Sequence, residues 1–105
     1  MHPYTYVLVR EDISNLQKAV QIGHAALQAG FAFDEPEKTS SIVLLSVPNE
    51  AALSAAAERL FLHGIDHHMF YEPDFGPMGY SALATKAVTS RRERNLFANY
   101  PLLEM

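Results

Sequence analysis

The sequence predicts a small α/β domain with helices covering both faces of a sheet. Three observations carry this expectation. Strand-like and helix-like segments alternate in the order β-α-β-α-β-β, followed by a short terminal helix. The first β-α-β can close a right-handed parallel crossover. The chain of 105 residues is 49% hydrophobic, which suits one core and a single domain over 1–105. The order differs from the β-α-β-β-α-β of ferredoxin-like domains, so an RNA-recognition-motif architecture is not expected.

Each element has a local reason. Tyr4–Arg10 (YTYVLVR) is β-branched and aromatic and reads as a strand. Asp12, Ser14 and Asn15 are candidate caps for a helix from about Gln17 to Phe33. The polar, proline-containing DEPEKTS is a loop. Ser41–Val47 (SIVLLSV) is a nearly continuous apolar run, as expected of a strand buried on both faces. Pro48 ends it, and Asn49 can cap a helix over Glu50–His63. The expected core face of that helix is Leu53, Ala56, Ala57, Leu60 and Phe61, with Gly64 just past its end. His67–Glu72 is a third strand, and Tyr80–Val88 a fourth after the loop PDFGPMG. Ser90-Arg-Arg-Glu93 is a capping-box pattern, placing a short helix over RRERNLFANY.

Composition narrows the function. Without cysteine there are no disulfides, zinc fingers or thiol catalysis. No segment approaches the ~20 apolar residues of a membrane span, and Met1-His2-Pro3-Tyr4 shows no export signal. A reducing, cytoplasmic setting is therefore expected. The net charge of −4 is uneven, because residues 31–75 are strongly acidic while residues 76–105 carry a small excess of bases. Phosphate contacts supply most non-specific nucleic-acid affinity, so any RNA site must be local.

Candidate chemistry sits in a few places. Gln17, Gln21, His24 and Gln28 recur at helical spacing, putting uncharged polar groups on one stripe of an otherwise apolar helix. Glu72 and Asp74 flank Pro73 at the end of a strand, where α/β sheets form ligand crevices and where paired carboxylates can do acid–base work. The cluster Arg91, Arg92, Arg94 can touch phosphates. HGIDHH (63–68) brings imidazoles and a carboxylate together, but His67 and His68 face opposite ways on a strand, so no metal is expected there. GPMG (76–79) reads as a tight turn rather than a phosphate loop.

YVLVREDI followed by QKAVQIGHAAL resembles the opening of the type II peptidyl-tRNA hydrolases, V-L-V-V-R-x-D-L and then G-K-x-A-A-Q-x-x-H-A-A. Tyr6–Asp12 matches the first part, and Gln21, His24, Ala25 and Ala26 match the second. SIVLLSVPNEAALSAAAERLFLHGI looks like that family's middle strand and helix. EPDFGPMGYSALAT falls where the family has D-A-G-x-T-Q-x-x-x-G-S-x-T-V-L-A-I-G. The closing RRERNLFANYPLLEM resembles a compact, phage-like or mobile-element branch.

The resemblance implies a four-stranded mixed sheet in a three-layer α/β/α arrangement. It also implies cofactor-free, metal-independent cleavage of the ester between a peptide and the tRNA 3′ ribose. The family's lysine falls on Gln17 in this sequence, with Lys18 one residue later. Its aspartate falls on Glu72, or on Asp74 when counted from the Asp-x-Gly pattern. Ser81 stands where the later threonine does, and the Thr-Gln pair is absent. The expected catalytic set is Lys18, His24, Glu72 and Ser81. Arg10, Gln17, Gln21, Asp74, Lys86, Arg91 and Arg92 would contact tRNA or another RNA. The alternative is a catalytically impaired relative that binds RNA, a nucleotide or a protein without turnover. Family members often pair, and Phe61, Phe70, Phe97 and Tyr100 could supply the contact of a homodimer.

Overall fold

The computed structural model describes residues 2–74 and 76–105. Phe75, within the expected PDFGPMG loop, lies outside the described residues. The elements are β1 (Tyr4–Arg10), α1 (Asn15–Ala32), β2 (Ser41–Val47), α2 (Glu50–Leu62), β3 (His67–Glu72), a 3-10 turn (Gly76–Met78), β4 (Gly79–Thr85) and α3 (Arg91–Asn95). The sheet order is β2-β1-β4-β3. β1 and β2 are parallel, whereas β4 runs antiparallel to both β1 and β3. This is the expected three-layer α/β fold with a mixed four-stranded sheet.

Alternation along the strands divides the core in two. Tyr6, Leu8, Leu45, Val47 and Leu83 pack with Leu53, Ala56, Ala57 and Leu60 of α2, and with Phe97. Val7, Val9, Ala82 and Ala84 pack on the other face against Ala25 and Ala29 of α1. The alanines let α1 approach the sheet closely. Ser14 caps α1, accepting from the Gln17 N–H, and Asn49 caps α2, accepting from the Ala52 N–H. Gly64, at φ +73°, terminates α2 in the left-handed region that glycine occupies without a steric penalty.

Three expectations need correction. Phe61 is 76% exposed, because it sits one residue, about 100° of helix, away from the inward line through Leu53, Ala57 and Leu60. β2 is not buried on both faces. It is an edge strand whose first residues are exposed and whose last three are buried. The buried end is covered by the chain terminus: Ser46 N–H donates to Pro101 O, and Leu103 N–H donates to Leu44 O. β4 ends at Thr85 rather than Val88, which instead forms an isolated bridge to Tyr4. Of the four aromatics nominated for a dimer contact, Phe97 stacks on Tyr6 at 3.9 Å, Phe70 stacks on His24, and Tyr100 lies beside the Arg59 guanidinium. Among the described residues, Phe61 alone of the four makes no such aromatic or cation contact.

Candidate functional site

The sheet-facing line of α1 is Lys18, Gln21, Ala25 and Ala29. These positions follow i, i+3, i+7 and i+11, the spacing of one helix face. The polar stripe read from sequence lies one step aside: Gln21 is wholly buried, whereas Gln17, His24 and Gln28 are half-buried. Lys18, and not Gln17, therefore shares the inward line with Gln21.

Opposite this line, β3 brings Phe70 and Glu72 to the α1 face, two residues apart. The His24 ring stacks on Phe70 at 4.5 Å between centroids and 4° between planes. Glu72 is 3% exposed, and its Oε1 accepts from Gln21 Nε2 at 2.8 Å.

Ser81 reaches the same place through a β-bulge. Phe70 pairs with Ala82 but Tyr71 pairs with Tyr80, which leaves Ser81 without a partner on β3. Strict alternation from Leu83, which faces α2, would send Ser81 to the α2 side as well. The extra residue turns it to the α1 side, where its hydroxyl donates to Gln21 Oε1 at 2.5 Å. Ser81 is also fully buried.

Gln21 thus joins three elements. An ionised carboxylate only accepts, so the Gln21 amide turns its N–H group to Glu72 and keeps its oxygen for the Ser81 hydroxyl. The same nitrogen donates to Gln17 Oε1 at 3.2 Å. The second Glu72 oxygen accepts from the Asp74 backbone N–H at 3.3 Å, while the Asp74 side chain is exposed. Of the two candidate carboxylates, Glu72 belongs to the network. Lys18 is 9% exposed, and its ammonium donates to Asn15 Oδ1 at 3.4 Å. Among the described residues it forms no ion pair with a carboxylate, so most of its donor capacity is unspent.

Arg10 supports the site from beside it. Its Nε and Nη2 donate to the two Asp12 carboxylate oxygens at 2.8 and 2.9 Å, and its Nη1 donates to Met78 O and to Tyr80 O. The hydrogen bonds to Asp12, helped by the Asp12 and Glu50 charges, hold the Arg10 guanidinium above its ordinary pKa against partial burial, and the same bonds hold the Asp12 carboxyl below its own. Arg10 therefore fastens the end of β1 to the turn that leads into β4. Glu50, at the start of α2, accepts from the Tyr80 N–H at 2.8 Å.

The remaining basic residues do not converge on Glu72. β4 begins beside Glu72 at Gly79 and ends at Thr85. Seven residues of strand span roughly 20 Å, so Lys86 lies at the opposite end of the sheet, 3.8 Å from Glu93. Exposed Arg91 and Arg92 follow in α3, beyond the Val88–Tyr4 bridge. Two contacts escaped the sequence reading, Phe70 under His24 and Asn15 under Lys18. Period-2 spacing from Glu72 marks Phe70, and i to i+3 spacing marks Asn15. In HGIDHH, His67 Nδ1 bonds the Ile65 carbonyl at 2.9 Å. Among the described residues no three His, Asp or Glu side chains are grouped to hold a metal ion.

No protein-family model matches the chain, and no curated protein does. A solved structure does: Atu0240 of Agrobacterium tumefaciens strain C58, a protein of unknown function, aligns over 99% of both chains with a TM-score of 0.64 and 15% identity. At that identity the likeness is one of fold alone.

Proposed function

We propose that this chain is a metal-independent ester hydrolase of the type II peptidyl-tRNA hydrolase kind, acting on the bond between a peptide or N-blocked amino acid and the tRNA 3′ ribose. The observation that carries the reading is the buried Glu72 carboxylate, held by neutral donors, facing the helix line that also bears Lys18. In this reading Glu72 takes a proton from a water as that water attacks the ester carbonyl. The Lys18 ammonium, with unspent donors, stabilises the oxyanion. The tetrahedral intermediate collapses, the carbonyl–ribose bond breaks, and the 3′ oxygen leaves with the proton from Glu72. Gln21 and Ser81 position the carboxylate rather than touch substrate, since both are fully buried. His24 contacts the ribose or its phosphate. The tRNA body meets Lys86, Arg91 and Arg92 at the far end of the sheet.

Two observations favour a second reading, binding without turnover. Glu72 is nearly closed off from solvent, and Gln17 occupies the family's lysine position. The test is release of an N-acetylated amino acid from tRNA by the purified protein. Hydrolysis is expected, with loss of activity in Glu72→Ala and in Lys18→Ala. No release above buffer, or full activity in Glu72→Ala, rejects the hydrolase. Retained tRNA binding that weakens in Arg91→Ala/Arg92→Ala would then select the second reading.

A further inference from the structure

α1 has its polarity reversed. Its inward line carries Lys18 and Gln21, while its outward line is apolar. Leu16, Val20, Gly23, Leu27 and Phe31 follow i, i+4, i+7, i+11 and i+15, the spacing of one helix face, and all five are exposed. Leu16 and Phe31 keep 73% and 74% of their surface in water, and Leu27 keeps 53%, so no other segment among the described residues covers this face. A surface helix ordinarily places charged side chains there. Here the one charged residue of α1 is the inward Lys18, and the half-buried Gln17, His24 and Gln28 border the apolar line on one side.

The glycines are a second, independent observation. Gly23 stands at the middle of the helix, on this face, and Gly30 lies beside it near the end. Glycine inside a helix is less favourable than alanine. A Cβ at either position would meet nothing within 4 Å, so neither glycine makes room for another part of this chain. Bare backbone on an apolar face does let the axis of a second helix come close.

We propose that this face pairs with the same face of a second copy of the chain, the two α1 helices lying antiparallel across a two-fold axis at Gly23. The stripe is symmetric about that point. Leu16 and Phe31 are equally far from the middle of the helix, and so are Val20 and Leu27. An antiparallel pair therefore sets Leu16 against Phe31 of the second copy and Val20 against Leu27 of the second copy, with the Gly23 backbones meeting at the axis. Such a contact is isologous and closed, and it brings opposite helix ends side by side. Neutrality favours a copy over a charged partner, since like faces meet here without repulsion and a charged partner finds no opposite charge. The exposed surface of the stripe is roughly 600 Å² per copy, so about 1,200 Å² in the pair, which reaches the lower end of stable interfaces. None of the four aromatics that the resemblance suggested for a dimer contact belongs to α1. Lys18, Gln21 and Glu72 lie on the opposite side of the helix, so the pairing stands apart from the hydrolase reading.

Sedimentation equilibrium of the whole chain tests the proposal. A reversible monomer–dimer equilibrium is expected, with a dissociation constant of roughly 1–100 μM for an interface of this size. Leu27→Glu puts a charge into the contact and should raise that constant about tenfold or more. Gly23→Ala is the sharper variant. Its methyl group stands at the axis and should weaken pairing about fivefold, although it favours the helix itself and meets nothing in its own chain. Both positions are exposed, and circular dichroism checks that the variants keep the fold. A chain that stays monomeric up to roughly 1 mM overturns the proposal. So does a dimer that either variant leaves unchanged, because its interface or its axis then lies elsewhere. A monomer that instead cosediments with phosphatidylcholine vesicles assigns the face to a lipid surface and overturns it as well.

Discussion

Replacing Gln21 with leucine removes the centre of the site and a buried polar hub together. The side chain is wholly buried, and it gives a 2.8 Å bond to Glu72 while receiving a 2.5 Å bond from Ser81. A hydrogen bond to a charged group contributes about 1.5–3 kcal/mol, and a buried hydroxyl left without a partner costs about 1–3 kcal/mol. Leucine restores about 1 kcal/mol by exchanging amide for methyl groups. The expected net loss is about 3 kcal/mol, a large share of the ~5–15 kcal/mol that stabilises a domain. Ser81→Ala alone leaves only the Gln21 oxygen short of a donor and should cost about 1–2 kcal/mol. Combining the two changes removes the orphaned hydroxyl, so the double variant should lose about 1 kcal/mol less than the sum of the single losses. Urea unfolding followed by circular dichroism reads this directly, as midpoints that move while the slope is unchanged. A loss below ~0.5 kcal/mol for Gln21→Leu, or strict additivity with Ser81→Ala, would refute the bonded network and the bulge that aims Ser81 at it.

Two further outcomes are expected. Phe97→Ala should cost about 3–5 kcal/mol because its ring is buried and stacked on Tyr6, whereas exposed Phe61→Ala should stay within about 0.5 kcal/mol; thermal melts showing equal losses would contradict this packing. The hydrogen bonds from Arg10 hold the Asp12 carboxyl below its ordinary value, so the unfolded chain binds this proton first as pH falls. Its stabilisation is complete above the ordinary carboxyl pKa of about 4 and disappears as pH drops through the lower folded value. Asp12→Asn should remove that part of the acid limb of the stability–pH curve, and an identical limb in the variant would contradict the pairing.

The sequence by itself determined the elements and their ends, because those depend on neighbours in the chain. Ser14, Asn49 and Ser90 cap helices through bonds three residues long, and Gly64 needs only its own φ. The helix spacing of Gln21 and the strand-end position of Glu72 were also legible, and so was their membership of one candidate site. Strand order and the true inward faces were not. Whether β2 lies at the centre or at the edge depends on pairing with residues more than thirty positions away, and the partner of its outer edge is the far end of the chain. Lys18 rather than Gln17 faces inward because contact with the sheet sets the rotation of α1, which periodicity alone leaves open by one residue. Alternation would have turned Ser81 away from Gln21, and only the bulge, a mismatch between two strands, brings it back. The distance between Glu72 and Lys86 likewise belongs to the antiparallel run of β4. Local chemistry chose the residues of the site, and non-local pairing decided which of them meet.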